Sequence, residues 1–314
     1  MDPQNTIADQ STEQNTNQIT EQSTNQITEQ SRDQDTGKRR INTKDQYYTN
    51  PHLATACVAK ILELYPALNA PTYLWLEPSA GSGVFLEAAK SHNVTKIKAY
   101  DIDPKHPDVT RADYLASPTS QSQSTTVIFG NPPFGRQGSL AKRFIKKAAS
   151  QAPQIIAFIL PLSFVKPSMY NVFPLNYHLE HSAQVPRNSF QVNTQTYDVP
   201  CVYQIWAHKA THRPTPPAAI PQGFKYVPQS APHHLIIRRV GVYAGRAFLK
   251  QESTTYSPQT HYYVALDSPH INKATALAQA LNTHTFPTNT TGPRSLSKGE
   301  VAEVLNKLLL QPPP

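Results

Sequence analysis

Residues 72–90 read Thr-Tyr-Leu-Trp-Leu-Glu-Pro-Ser-Ala-Gly-Ser-Gly-Val-Phe-Leu-Glu-Ala-Ala-Lys. The apolar run Thr72–Glu77 has the composition of a short strand, residues 81–83 form a tight turn, and a helix follows through Lys90. Two glycines in such a turn let backbone amides approach a ligand with no Cβ in the way. The third glycine of the dinucleotide fingerprint is absent, and Leu86 stands in its place, which counts against a nicotinamide cofactor.

Strand and helix patterns alternate outward from this stretch. Pro51–Tyr65 reads as a helix with proline in its first turn. Lys96–Tyr100 and Val127–Gly130 read as strands, and Ser139–Ser150 as a helix with basic residues on its exposed side. The unbroken apolar run Gln154–Leu160 predicts a buried strand. Residues 176–185 and 200–208 predict an antiparallel pair enclosing a polar loop. The pattern implies an α/β fold, a mostly parallel sheet covered on both faces and ending in an antiparallel hairpin. Beyond residue 233, Leu235–Arg239, Val242–Phe248 and Tyr262–Leu266 alternate like strands. Helices are expected near 269–281 and 297–310, the second opened by Ser297 with Glu300 three residues on. That makes a small α+β module at 233–314, joined to an α/β domain at 38–210 by a proline-rich linker at 211–232.

Residues 1–37 are almost entirely Ser, Thr, Gln, Asn, Asp and Glu, with a near-repeat of Asn-Gln-Ile-Thr-Glu-Gln. This composition predicts a disordered low-complexity tail. It carries seven acids against Arg32, while the remainder holds 28 Lys/Arg against 14 Asp/Glu. A folded part that basic suits a polyanionic partner, or is simply a solvated basic surface. The basic helix Lys142-Arg143-Lys146-Lys147 and the Arg238-Arg239 pair are candidate phosphate contacts. Cys57 and Cys201 are the only cysteines and no Cys/His cluster exists, so neither a disulfide framework nor a metal site is indicated. The pair His233-His234 reads as loop surface. The longest apolar run, Ile155–Leu162, is too short to cross a bilayer, and no secretory signal is visible. The expectation is an intracellular protein, cytoplasmic or nuclear, with no membrane partner.

Three motifs carry chemistry. Glu77 leads into the glycine turn. Asp101, in Ala-Tyr-Asp-Ile-Asp-Pro at 99–104, ends the second strand, where an acid can accept from ribose hydroxyls or simply form a turn. Asp113 ends a third strand. Asn131-Pro132-Pro133-Phe134 follows the buried run 127–129, at the strand end where open α/β sheets bind ligands. The prolines stiffen the backbone and remove two donors. The Asn131 side-chain oxygen and the Pro132 carbonyl can then both accept from one NH₂ group, while Phe134 offers a flat face for stacking.

On these motifs, residues 45–208 resemble the amino-methyltransferase superfamily, especially the adenine-N6 methyltransferases in which the cofactor motifs precede the catalytic one. The resemblance implies a Rossmann-like methyltransferase fold and S-adenosyl-L-methionine as cofactor. It implies that Tyr48 and Thr49, within Tyr-Tyr-Thr-Asn-Pro at 47–51, contact the methionine part of the cofactor. Glu77, Gly81 and Gly83 match the main cofactor motif, Asp101 the ribose-binding acid, and Asp113 a residue near the cofactor adenine. In the family the loop between the last two strands often carries an aromatic that packs on the extruded base, and Phe190 is the candidate. The Asn and Phe form of the motif is also similar to that of RNA amino-methyltransferases, including guanine-N2 enzymes. With Tyr last, it resembles protein-glutamine methyltransferases. An inactive, nucleic-acid-binding methyltransferase-like subunit is the reading from a different class. The expected partner is a nucleic acid, DNA ahead of RNA.

Overall fold

The structure, a computed structural model, describes residues 47–118, 126–192, 195–215, 219–250, 256–290 and 293–310. The expected tail at 1–37 lies outside them. The first half runs β1 (Tyr48–Thr49), α1 (Pro51–Leu64), β2 (Leu74–Glu77), α2 (Val84–Ser91), β3 (Ile97–Asp101), β4 (Thr110–Arg111), β5 (Thr126–Gly130), α3 (Ser139–Ser150), β6 (Ile155–Pro161), β7 (Tyr177–Gln184), β8 (Phe190–Val192), β9 (Gln195–Tyr197) and β10 (Cys201–His208). Its principal sheet has the order β4-β3-β2-β5-β6-β10-β7. The first five of these strands pair in parallel, and β10 enters antiparallel to both β6 and β7. This is the Rossmann-like methyltransferase fold. The strand order reverses between β2 and β5, so the crevice beyond their carboxyl ends is the topological switch point where ligands bind.

Period-two alternation builds a core on each face of this sheet. Val127, Phe129, Ile155, Ala157 and Ile159 pack on one side with Ala54, Val58 and Ile61 of α1 and with Phe85, Ala88 and Ala89 of α2. Ile128, Ile156, Phe158 and Leu160 point the other way and meet Ala141, Phe144, Ile145 and Ala148 of α3. Every residue of β6 is buried, as a strand covered on both faces must be. α1 starts where the Asn50 side chain accepts from the His52 amide at 2.8 Å, with Pro51 at the first helical position, both ordinary helix-start devices.

The loop between β7 and β10 is not simply polar. It holds the β8–β9 hairpin, which pairs with β1 into a separate three-stranded sheet, Thr49 opposite Phe190 and Tyr48 opposite Gln191.

Beyond Lys209 the chain forms β11 (Phe224–Val227), β12 (Leu235–Arg238), β13 (Ala247–Leu249), β14 (His261–Leu266), α4 (Ala274–Thr283) and α5 (Lys298–Leu310). The strands make an antiparallel sheet in the order β11-β14-β12-β13, and α4 and α5 share a core with it around Leu235, Ile237, Val264, Leu281 and Leu305. Two expectations need correction. The proline-rich linker at 211–232 contains a strand, because Phe224–Val227 zips onto β14 and buries Phe224. The strand expected at 242–248 shortens to Ala247–Leu249, because 241–246 turn sharply, the Gly245 amide donating back to the Arg238 carbonyl at 2.7 Å. The capping box is present: Glu300 Oε2 accepts from the Ser297 amide at 2.8 Å, and the Glu300 amide donates to Ser297 Oγ at 3.2 Å.

Lys166 ties the C-terminal module to the first half, and Arg213 pins the start of the linker to it. Lys166, 7% exposed, donates to the Ser295 carbonyl at 2.7 Å and pairs with Glu300 Oε1 at 3.0 Å. The Arg213 guanidinium donates to the carbonyls of Pro174, Tyr177, Tyr170 and Phe173 and lies over the Trp206 ring.

Candidate active site

A cavity of about 720 Å³ opens at the switch point, bounded by Tyr47–Thr49, by 77–82 after β2, by 101–103 after β3 and by 131–134 after β5. That volume suits a nucleoside-sized ligand. Asp113, Tyr114 and Leu115 close one side, and Arg143 and Phe144 of α3 another.

The glycine turn is shaped by its neighbours. Gly81 has φ +50°, and a Cβ there would come within 3.3 Å of Tyr48 Cε1. Gly83 has φ +77°, and a Cβ would fall 2.6 Å from His106 Cγ. Glycine is therefore required at 83 by packing against His106, and Gly83 itself is not among the residues lining the cavity. Asp101 organises the turn: its Oδ2 accepts from the Gly81 amide at 2.7 Å and its Oδ1 from the Asp103 amide at 2.8 Å. Each carboxylate oxygen retains a further lone pair for a hydroxyl donor. Asp113 Oδ1 accepts from the Leu115 amide at 2.9 Å.

Glu77 is 1% exposed and its Oε2 has no partner. Burial pushes its carboxyl up to about 8 from the ordinary 4.5; the backbone bond from Leu86 opposes this, and the nearby Asp101 adds to it. A carboxyl so placed favours its neutral form, and a cation beside it would compensate the lost hydration of the charged one.

Asn131 is held at both ends of the residue. Ser79 Oγ donates to its backbone carbonyl at 3.3 Å. Its side-chain Nδ2 donates to Thr49 Oγ1 at 3.1 Å and to the Tyr47 carbonyl at 3.3 Å. The other end of the amide, Oδ1, is buried with no partner. Pro132, Pro133 and Phe134 continue along the cavity wall. The Phe134 carbonyl accepts from the Leu140 and Ala141 amides at 3.0 and 3.2 Å, tying the motif to the first turn of α3.

The structure thus gathers Tyr48, Thr49, Glu77, Gly81, Asp101, Asp113 and the 131–134 motif around one cavity. It does not bring Phe190 there. Phe190 is 1% exposed, sits in the core with α1, and is paired with Thr49 across β8 and β1, so it cannot offer a face to a base. Arg238 and Arg239 also differ from expectation. Arg238 lies 5.8 Å over Tyr243 and donates to the Val240 carbonyl, and Arg239 lies 5.0 Å over Tyr262 with its Nε buried. Both are spent on packing their own module. Sequence reasoning missed Ser79 and Ile102 as residues of the cavity wall, and had Tyr47 only as part of the 47–51 segment. Ile102, 65% exposed beside the cavity, could have been found as an apolar residue directly after the strand-end acid.

His233 and His234 point to backbone partners, His233 Nδ1 to the Ala231 carbonyl and His234 Nδ1 accepting from the Leu266 amide. Glu87, His106 and Asp108 cluster at the surface. Lys90 already pairs with Glu87 at 2.8 Å and Asp108 at 2.6 Å, a cation where a metal would stand. Among the described residues no helix is long and apolar enough to cross a membrane.

The model of the EDM2 methyltransferase-like domain family matches residues 86–209, less than half of the chain, taking in the Asn131 motif but starting after the glycine turn. No curated protein sequence matches the chain. Among solved structures, a proposed RNA methyltransferase from Pyrococcus horikoshii is 13% identical at TM-score 0.41, covering 55% of this chain and 91% of its own. TrmN from Thermus thermophilus is 19% identical at 0.34, covering 51% and 49%. The methyltransferase subunit of a type I restriction-modification system from Streptococcus thermophilus is 11% identical at 0.40, covering 79% and 56%. This chain therefore spans about half the length of the last two. Likenesses at this level add nothing to the fold assignment, which rests on the sheet order.

Proposed function

We propose that this protein is an S-adenosyl-L-methionine-dependent methyltransferase acting on the exocyclic N6 amine of adenine in a nucleic acid, DNA ahead of RNA. One observation carries the reading. The Asn131 amide is fixed through its nitrogen, leaving its oxygen as a buried acceptor with no donor, at the start of an Asn-Pro-Pro-Phe motif beside a nucleoside-sized cavity. An unpaired buried acceptor costs roughly 1–3 kcal/mol, and an incoming NH₂ group repays it.

The residues present fit the cofactor. Glu77, with its orphaned Oε2, would take the methionine ammonium, Asp101 the ribose hydroxyls, and Asp113 with Ile102 the adenine ring. The cofactor supplies an electrophilic methyl on a sulfonium, whose charge is neutralised on transfer, so the chain needs no strong base. An aromatic amine is a weak nucleophile because its lone pair is conjugated with the ring. Asn131 Oδ1 and the Pro132 carbonyl, accepting from its two hydrogens, favour the tetrahedral nitrogen of the transition state over the planar ground state. Phe134 provides the stacking face that keeps the base in line for attack. In a duplex the target base has to leave the stack to reach this motif.

Phe134 also favours a second reading. The Asn and Phe form resembles that of RNA amino-methyltransferases, for which an RNA adenine-N6 or guanine-N2 amine is the acceptor. Tritiated-methyl transfer onto DNA, RNA and protein in parallel, with nucleoside analysis of the product, separates the readings. Label in N6-methyldeoxyadenosine supports the proposal, and label in N6-methyladenosine or N2-methylguanosine of RNA supports the second reading. Label in protein glutamine, or in no substrate despite cofactor binding, overturns it.

A further inference from the structure

The Asn131 side chain has two ends of nearly equal size, and only one can accept from an amine. An inverted amide would present NH₂ to NH₂, and transfer would stop. Something must therefore set the orientation, and the groups that do so belong to β1 and the residue just before it. The Tyr47 carbonyl, 3.3 Å from Nδ2, can only accept, so inversion would set oxygen against oxygen. The Thr49 hydroxyl, 3.1 Å from Nδ2, supplies the shorter bond and takes the second amide hydrogen; able to donate as well as accept, it holds the amide in place while the carbonyl decides which end faces β1. Both hydrogens are then used, and Oδ1 is the end left over.

β1 is only Tyr48–Thr49, too short to hold a position unaided. It is fixed by register with β8, Thr49 opposite Phe190, and by the Asn50 amide donating to the Ser189 carbonyl at 2.9 Å. Phe190 is sunk in the core against α1. A rigid line of support thus runs from the hydrophobic core through Phe190 and Thr49 to the Asn131 amide, and Thr49 is itself 7% exposed.

We infer that Thr49 is a positioning residue: with the Tyr47 carbonyl it locks the Asn131 amide in the orientation that leaves Oδ1 to accept from the target amine. This rests on the amine-methylation reading for its consequence, but the locking itself is a property of the protein alone. Thr49→Val keeps the shape of the side chain and removes the acceptor, whereas Thr49→Ser keeps the acceptor.

The test therefore has two readouts on the full chain. The first is nuclear magnetic resonance of protein labelled with nitrogen-15 at asparagine, the Asn131 side-chain signals being assigned by their loss in Asn131→Asp. We expect Thr49→Val to move one Asn131 amide proton upfield and speed its exchange with water roughly fivefold or more, as one bonded hydrogen loses its acceptor, with Thr49→Ser resembling wild type. The second is steady-state transfer. kcat should fall roughly tenfold in Thr49→Val, with KM and S-adenosylmethionine affinity within about threefold, and Thr49→Ser should recover most of it. Amide signals indifferent to Thr49→Val overturn the locking. A loss confined to cofactor affinity, with kcat intact, overturns it too and makes Thr49 a cofactor contact. Amide signals that respond as expected in a protein that methylates no nucleic acid uphold the locking and remove the amine-methylation reading instead.

Discussion

At the scale of single residues, the two orphaned oxygens of the cavity make opposite demands. Asn131 Oδ1 is buried with no partner, and on the proposed reading its donor comes with the substrate. Asn131→Ala should therefore cost about 3 kcal/mol in the transition state, roughly a hundredfold in kcat, with S-adenosylmethionine affinity within a few fold by calorimetry. Near-normal turnover would remove Asn131 from the chemistry. Glu77 takes a positive charge on the same reading, and its stability effect has a definite sign. Its folded value of about 8 lies above the ordinary 4.5, so the folded protein keeps a proton that the unfolded chain releases between those values. The stabilisation is complete below pH 4.5 and is lost as pH rises through about 8. Glu77→Gln carries no such proton. In the absence of cofactor it should melt near wild type at pH 5 and several degrees above wild type at pH 8.5. An identical difference at both pH values would mean that Glu77 ionises normally. Glu77, Asp101 and Asn131 were legible in the sequence because each sits at a strand end, where composition and position agree. Phe190 was not. An aromatic in a polar stretch, Arg187-Asn188-Ser189-Phe190-Gln191, looks exposed until its strand partner, far away in sequence, is known. The part played by Thr49 was hidden for the same reason, because its bond to Asn131 spans 82 positions.

At the scale of elements, α3 departs from the balanced surface of an ordinary helix. No acid occurs between Asp113 and Glu180, and four of the six bases in that stretch fall on α3. Of these, Lys147 donates to the Ser117 carbonyl at 2.5 Å, while Arg143 and Lys146 are exposed and Arg143 borders the cavity. A phosphate backbone passing the cavity would meet this face. Replacing Lys142, Arg143 and Lys146 together by alanine should weaken nucleic-acid binding and flatten its dependence of log K on log salt by about 2 to 3. Melting should hardly move, since the buried side of the helix is untouched. Unchanged affinity and slope would assign the face to solvent. α3 and β6 were legible because a helical stripe and an unbroken apolar run are strong periodic signals. β8, β9 and β11 were not, being three or four residues each in polar or proline-rich surroundings. Their pairing comes from tertiary partners rather than local preference.

At the scale of the whole molecule, the C-terminal module has its own core but is anchored by a buried charge. Lys166 meets the Ser295 carbonyl and Glu300, whose carboxylate also accepts from the Ser297 amide. Removing Glu300 leaves the Lys166 ammonium buried on one carbonyl, and removing Lys166 leaves a partly exposed Glu300 that keeps only its Ser297 amide, so the cost is at or below the roughly 3–5 kcal/mol of a fully buried pair. Lys166→Met should therefore lower the melting temperature by several degrees and split a single calorimetric transition into two as the halves uncouple. Glu300→Gln, which also weakens the capping box, should do the same. A single transition within a degree of wild type would show that the halves are joined by other contacts.

The small sheet of β1, β8 and β9 has a temporal meaning as well as a spatial one. A ribosome delivers Tyr48 and Thr49 early, yet their partners Phe190 and Gln191 emerge only after most of the principal sheet has been made. Until then one wall of the cavity has no fixed place, and the Asn131 amide has nothing to set its direction. Loop closures over such separations come late in folding. A nascent chain would thus acquire its sheet first and its reactive centre near the end, so that truncated translation products would be folded in large part but silent.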